Sequence, residues 1–303
     1  MNLSSDVVEA SYRFCRRVSS NARSNFHASF LLLSHERRRA MEALYAFMRH
    51  TDDLADRPQT GRPAHDSLTQ WRAAVEGAML GADAQGSDAA VATIGGEILP
   101  ALADAVRRFG IPPEHLYAVI DGVEMDLAPR RYETFDELRP YCEHVASAVG
   151  LACIHIWGFK GPAAFEPARK CGIAMQLTNI LRDLKEDVAV DRVYLPLADL
   201  RDCGYSVDDL RAGVADERFH RLMTLEVART EQFYREGIEL MDWLEPAGRR
   251  IFGLMTATYR TLLRKIAGRS DAVLRRRVGL SGPKRLQLAA RWLLLPPRKA
   301  ALR

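Results

Sequence analysis

Apolar residues recur at steps of three and four along most of the chain, and no stretch of useful length alternates apolar with polar at period two. That pattern predicts an all-α protein. Start and stop residues bound the helices. Ser4 or Ser5 opens a first helix to about residue 19, and Ser34 opens a second over 35–54. Pro58, Gly61 and Pro63 mark a loop, and residues 64–80 read as helix. A polar break over 81–87 precedes a helical stretch at 89–109, interrupted near Gly95, Gly96 and Pro100. Pro112 and Pro113 stand at the start of a helix to about residue 127, where a missing N–H costs nothing. Thr134 caps a long run through residue 158, and Pro162 starts the next. Residues 193–200 form a loop with Pro196. Ser206 and Asp209 form a capping box, and 217–243 and 249–267 are long amphipathic helices.

Two of these helices carry paired acids. In AMQLTNILRDLKEDVAVDRVYLP, residues 174–196, Asp183 and Asp187 are four apart and share one helix face. Gln176 and Asn179 continue that face upstream, and Leu177, Ile180, Leu181 and Leu184 supply an apolar side for docking. Like charges one turn apart repel, and burial raises the cost unless a cation is present. A hard divalent cation with oxygen ligands, such as Mg2+ with Mn2+ as a substitute, removes the problem, and Asn179 stands beside the acids as a further oxygen donor. For one such pair a solvated acidic face is an equally good reading. YAFMRHTDDLAD repeats the arrangement: Asp52 and Asp56 are again four apart, with Tyr45 and Arg49 on the same face. Two such helices facing across a cavity would suit a diphosphate site better than a self-contained metal cage, because Mg2+ keeps waters and takes phosphate oxygens. Arg49, Arg182 and Arg192 stand near the acids, suited either to phosphate or to ion pairing with them.

Composition narrows the class. With 303 residues, 48% hydrophobic and 27% charged, the chain reads as globular, large enough for one domain or two. The five cysteines form no CxxC pair, which points away from zinc and disulfide frameworks and towards a reducing cytoplasm. Neither a signal peptide nor a spanning segment is legible. There is no GxGxxG after a strand, no GxxxxGK[ST] and no HExxH. His27, His50, His144 and His155 read as structural. The net charge of +4 conceals a tail, residues 269–303, that carries +9 and leaves −5 for the rest. With its leucines and with Trp292 at the apolar edge, that tail fits either a peripheral membrane helix or a last core helix with a basic face. No nucleic-acid motif accompanies the charge.

The two acidic motifs, with SNFHASFLLLSHERRRAMEALYAF, VIDGVEMDL, YCEHVASAVG and RRRVGLSGPKRL, resemble the squalene and phytoene synthases over roughly residues 10–290. The resemblance implies a single all-α domain of isoprenoid-synthase type, a helical array around a central cavity. It implies Mg2+-dependent head-to-head condensation of two prenyl diphosphates, with Asp52, Asp56, Asp183 and Asp187 holding metal. It supports Tyr45 and Tyr141 as catalytic by motif position, places Arg192 and Tyr194 near substrate, and matches Tyr259 more weakly. A carbocation needs a dry chamber. Phe26, Phe30, Val145, Ala146, Val149 and Gly150 are candidates to line it, and for each of them close helix packing is the competing reading. The closest pattern is that of bacterial presqualene diphosphate synthases using C15 substrate, with C20 phytoene synthesis as the alternative. NADPH is not expected for the first half-reaction. Downstream isoprenoid enzymes are the expected partners, and the inner face of a membrane a candidate location. A non-catalytic, membrane-associated assembly protein of the same fold is the competing class.

Overall fold

The computed structural model describes residues 5–21, 29–56, 63–81 and 95–302. The all-α expectation holds: among the described residues there is no strand, and one isolated bridge joins Phe159 to Leu244. No helix among them is long and apolar enough to cross a membrane. Ser4, Phe26, His27 and the stretch 89–94 lie outside the described residues. The chain forms two compact units, Met1–Leu127 with Leu151–Gly158, and Ala128–Gly150 with Phe159–Arg303.

In the first unit the His35–Asp56 helix is central. It packs against Ser5–Asn21, Ala64–Leu80, Leu99–Phe109 and Glu114–Met125. Phe47 and Trp71, both fully buried, stack with ring centres 5.9 Å apart. Burying a ring of that size stabilises by about 1.5–3 kcal/mol. The indole N–H of Trp71 donates to the Thr51 hydroxyl at 2.9 Å, so its polar atom is satisfied. Leu99–Phe109 has no capping side chain of its own, and Pro100 sits in its first turn. Ser11 of the neighbouring helix serves instead: its hydroxyl donates to Glu97 O at 2.6 Å and accepts from Ala101 N at 3.0 Å. Arg37 Nη1 donates to Trp157 O at 2.7 Å and ties Leu151–Gly158 into this unit.

The second unit is built on the Phe165–Arg182 helix. It lies against Glu217–Gly237, the Glu143–Ser147 segment and Pro246–Ala267. Two glycines set the closest approaches. A Cβ on Gly172 would lie 2.6 Å from Ser147 Cα, and one on Gly237 would lie 2.7 Å from Cys171 N. The run predicted as one helix from Thr134 is capped as expected, with Thr134 Oγ1 accepting from Glu137 N. It is not uniform, however: Phe135–Cys142 passes through a π turn at Glu143–Ser147 into Ala148–Trp157. The wide turn sets Ser147 on Gly172, and the Ser147 hydroxyl donates to Arg169 O at 2.8 Å. A Cβ on Gly150, by contrast, would make only an ordinary contact, 3.6 Å from Ala168 O. The Ser206–Asp209 capping box forms as predicted at Val207–Ala212. Further on, Gly282–Leu294 lies on Pro246–Ala267, and of the two readings of the tail the core-packing one describes Trp292. Its ring is buried over Gly253 rather than standing at a solvent-facing apolar edge, because Gly253 leaves a hollow that only a bare backbone provides.

The glycine contact is testable. Gly172→Ala should cost about 1–3 kcal/mol of stability, since backbone and not a flexible side-chain end stands in the way. Gly77→Ala, with nothing within 4 Å, should be neutral or stabilising by up to about 1 kcal/mol. Denaturant titration of both variants compares them directly.

Candidate active site

The first acidic pair lies at the C-terminal end of its helix, where the backbone dipole disfavours negative charge. In the first unit, Asp52 and Asp56 occupy the last turn of His35–Asp56, which holds no basic residue. Asp52 remains accessible to solvent. The protein around its carboxyl nevertheless desolvates it. That desolvation, then repulsion from Asp56, pushes the group up to about 7, and Arg49 offsets only part of the rise. Arg49 is turned instead to Asp53, with Nε–Oδ2 at 3.0 Å and Nη2–Oδ1 at 2.5 Å. Tyr45, on the same face, meets the buried Phe30 edge-on at 6.4 Å. Phe26 lies outside the described residues.

In the second unit the predicted continuous helix through Asp183 and Asp187 is corrected. Phe165–Arg182 ends at Arg182, Asp183 leaves helical geometry at φ −103°, and a separate short helix runs Leu184–Ala189. The one-turn relation survives, since Asp187 N donates to Asp183 O at 2.9 Å. At the break the Asp183 carboxylate is gripped by two guanidiniums. Arg182 Nε donates to Oδ1 at 2.7 Å and Nη2 to Oδ2, while Arg277 adds Nε–Oδ1 at 2.7 Å and Nη2–Oδ2 at 3.3 Å. Burial pushes this carboxyl up, but the hydrogen bonds and charges of Arg182 and Arg277 outweigh it, so the group falls below the usual range. The two pairs thus differ: repulsion dominates at Asp52, and ion pairing at Asp183.

One turn before Asp183 stands Asn179. Its Nδ2 donates to Gln176 Oε1 at 3.3 Å, and its Oδ1 is buried with no hydrogen-bond partner among the described residues. A buried carbonyl oxygen without a donor is costly, and it is the atom a cation would take. Tyr259 hydrogen-bonds Asn179, which brings the weaker sequence match to this corner, and burial pushes its hydroxyl up. Among the described residues no group of three or more acidic, histidine or cysteine side chains gathers as a ready metal cage.

Beyond Asp187 the chain turns through Asp191, at φ +60°. Its carboxylate accepts from Arg131 at 2.6 Å and Arg211 at 2.7 Å, and Arg131 also donates to Asp191 O at 2.7 Å. That clamp anchors the strand of chain carrying half-buried Arg192 and buried Tyr194. Tyr194 stacks on Tyr141 at 5.0 Å and on Tyr132 at 6.4 Å, and all three rings are buried. Val145, Ala146 and Val149 are half-buried. Sequence reasoning singled out neither Arg277 nor Tyr132 nor the Asp191 clamp. The late RRRVGLSGPKRL segment, which contains Arg277, was the available signal for the first; the others rest on tertiary contacts.

A sequence model of the squalene/phytoene synthase family matches residues 19–284. The chain belongs to that family, whose members are prenyltransferases that join two prenyl diphosphates head to head. It is 33% identical to the 15-cis-phytoene synthase of Synechocystis sp., over 94% of this chain and 86% of that one. It is 31% identical to the chloroplastic phytoene synthase 2 of Solanum lycopersicum, over 97% and 94%. Among solved structures, squalene synthase HpnC from Alicyclobacillus acidocaldarius superposes with a TM-score of 0.78 at 26% identity, covering 88% of this chain and 95% of that one. A dehydrosqualene synthase shares the fold with a TM-score of 0.81 at 24% identity, covering 94% and 96%.

The raised Asp52 carboxyl makes a pH prediction. A carboxyl raised in the folded state contributes stability at acid pH, and that contribution is lost as pH rises through about 7. In chelator, Asp52→Asn should therefore melt above the parent at pH 8 and close to it at pH 4. Thermal scans at the two pH values check this; a lower melting point at pH 8 contradicts it.

Proposed function

We propose that the chain condenses two farnesyl diphosphates to presqualene diphosphate with Mg2+. The orphaned Asn179 Oδ1 beside Asp183 carries the metal reading: a buried oxygen without a donor, next to a carboxylate, fits a hard cation. The repelled Asp52–Asp56 pair supports it from the first unit. Asp52 and Asp56 in the first unit, and Asn179, Asp183 and Asp187 in the second, would each be metal ligands. Bound Mg2+ would supply positive charge to a departing diphosphate.

The chain's own groups do the rest. Arg182 and Arg277, with planar two-pronged donors at Asp183, are placed to exchange carboxylate for phosphate oxygens. The stacked Tyr132, Tyr141 and Tyr194 offer aromatic faces to an allylic cation, and their burial keeps water from that cation. Asp191, held by Arg131 and Arg211, fixes the segment on which Tyr194 sits. The likeness to HpnC supports the C15 substrate. The curated relatives favour a second reading, two geranylgeranyl diphosphates to phytoene. We place the chain in the cytoplasm, in keeping with its five free, buried cysteines.

Asp183→Asn combined with Asp187→Asn should lower turnover at least a hundredfold while the helical circular dichroism stays unchanged. Near-normal turnover, or turnover in excess chelator, removes the metal assignment. For the substrate, the purified protein is given C15 and C20 diphosphates separately with Mg2+, with and without NADPH, and the lipids are read by mass spectrometry. The expected product is presqualene diphosphate from C15, unchanged by NADPH. Phytoene from C20 with no C15 turnover establishes the second reading.

A further inference from the structure

The Gly282–Leu294 helix is fastened to the second unit along one edge only. Trp292 is 2% exposed, and its ring fills the hollow over Gly253, where a Cβ would come within 2.1 Å of it. Arg250 Nη1 then donates to the carbonyls of Trp292 at 3.0 Å, Leu293 at 2.8 Å and Leu295 at 3.3 Å, so the helix end is capped by a side chain of the helix beneath. Further on, Leu302 is buried, and Lys299 is held by Glu239 at 2.7 Å and Asp242 at 2.5 Å. The segment is thus docked at both ends and is not a loose tail.

Away from Trp292 the helix carries bare leucines. Leu286 is 71% exposed, Leu293 56%, Leu294 74% and Leu295, just past the helix, 48%. Steps of seven and eight put Leu286, Leu293 and Leu294 on one stripe, roughly a third of a turn or more from Trp292. A contiguous exposed apolar stripe on a soluble-type fold marks a surface that meets something apolar. Lys284, Arg285, Arg291 and Arg298 stand on the same segment, and after Asp271 the chain has no Asp or Glu. An apolar stripe in a purely basic setting matches an anionic lipid surface, with leucines entering the acyl boundary and cations at the headgroups. A second copy fits poorly, because it would bring basic rim against basic rim.

We infer that the solvent-facing edge of Gly282–Leu294, led by Leu286, Leu293 and Leu294, docks the protein on an anionic bilayer while Trp292 stays in the protein. This does not depend on which prenyl diphosphate is used. The test is co-sedimentation of the full chain with phosphatidylcholine vesicles containing phosphatidylglycerol. Binding should be strong, weaken in high salt, and fall at least tenfold on phosphatidylcholine alone. The variant Leu286→Glu, Leu293→Glu, Leu294→Glu should lose at least tenfold in binding, with helical circular dichroism and turnover of a soluble substrate analogue unchanged. Lys284→Gln with Arg291→Gln and Arg298→Gln should lose the phosphatidylglycerol preference. A fluorophore at Leu286→Cys should be quenched by brominated lipid. Vesicle binding equal in the parent and the leucine variant overturns the inference. So does a concentration-dependent dimer that the leucine variant abolishes in a parent that binds no vesicle.

Discussion

The second unit depends on how closely other backbone approaches the Phe165–Arg182 helix. Gly172 against Ser147, and Gly237 against Cys171, bring main chain to main chain with no room for a methyl group. Interiors this close-packed transmit strain rather than absorb it. The helix held in that grip carries Gln176, Asn179 and Arg182 and delivers Asp183 at its end. Displacement of a few tenths of an ångström at Gly172 would be felt two turns later, where the polar side chains gather. The small residues in the π turn and on Glu217–Gly237 thereby set the position of groups they never touch.

Charge is managed in opposite ways at the two acidic sites. Asp183 is neutralised within the protein, by Arg182 and Arg277. Asp52 is not: its neighbours Asp53, Asp56 and Asp126 add negative charge, and Arg49 is engaged by Asp53. Repulsion dominates the first site and ion pairing the second.

Most of the fold could be read from periodicity and caps. Thr134 and Ser206 are local signals, and they held; Pro100, read as an interruption, instead stands in the first turn of Leu99–Phe109. What escaped was decided by distant residues. The break after Arg182 falls inside an unremarkable helical pattern, and the guanidinium that reaches it, Arg277, is 94 positions away in sequence. For Gly282–Leu294, periodicity alone offers two apolar edges, one through Trp292 and one through Leu286 and Leu293. Only Gly253, on another helix, decides which edge docks. The acidic residues were legible because their spacing is local; their electrostatic difference was not, because it arises from partners contributed by other elements.

The chain leaves the first unit after Leu127, builds Ala128–Gly150 of the second, and returns for Leu151–Gly158. During synthesis, the first unit is therefore unfinished when its first 127 residues have emerged. The carbonyl of Trp157 that Arg37 requires is still to come, and the chain must close a loop of 120 positions to supply it. Closing such a loop is slow compared with forming local helices. Until it closes, Ile154 and Ile156, both fully buried in the finished protein, are not yet in place. The first unit is therefore completed only by residues made after part of the second, so the order of synthesis and the order of packing differ in this chain.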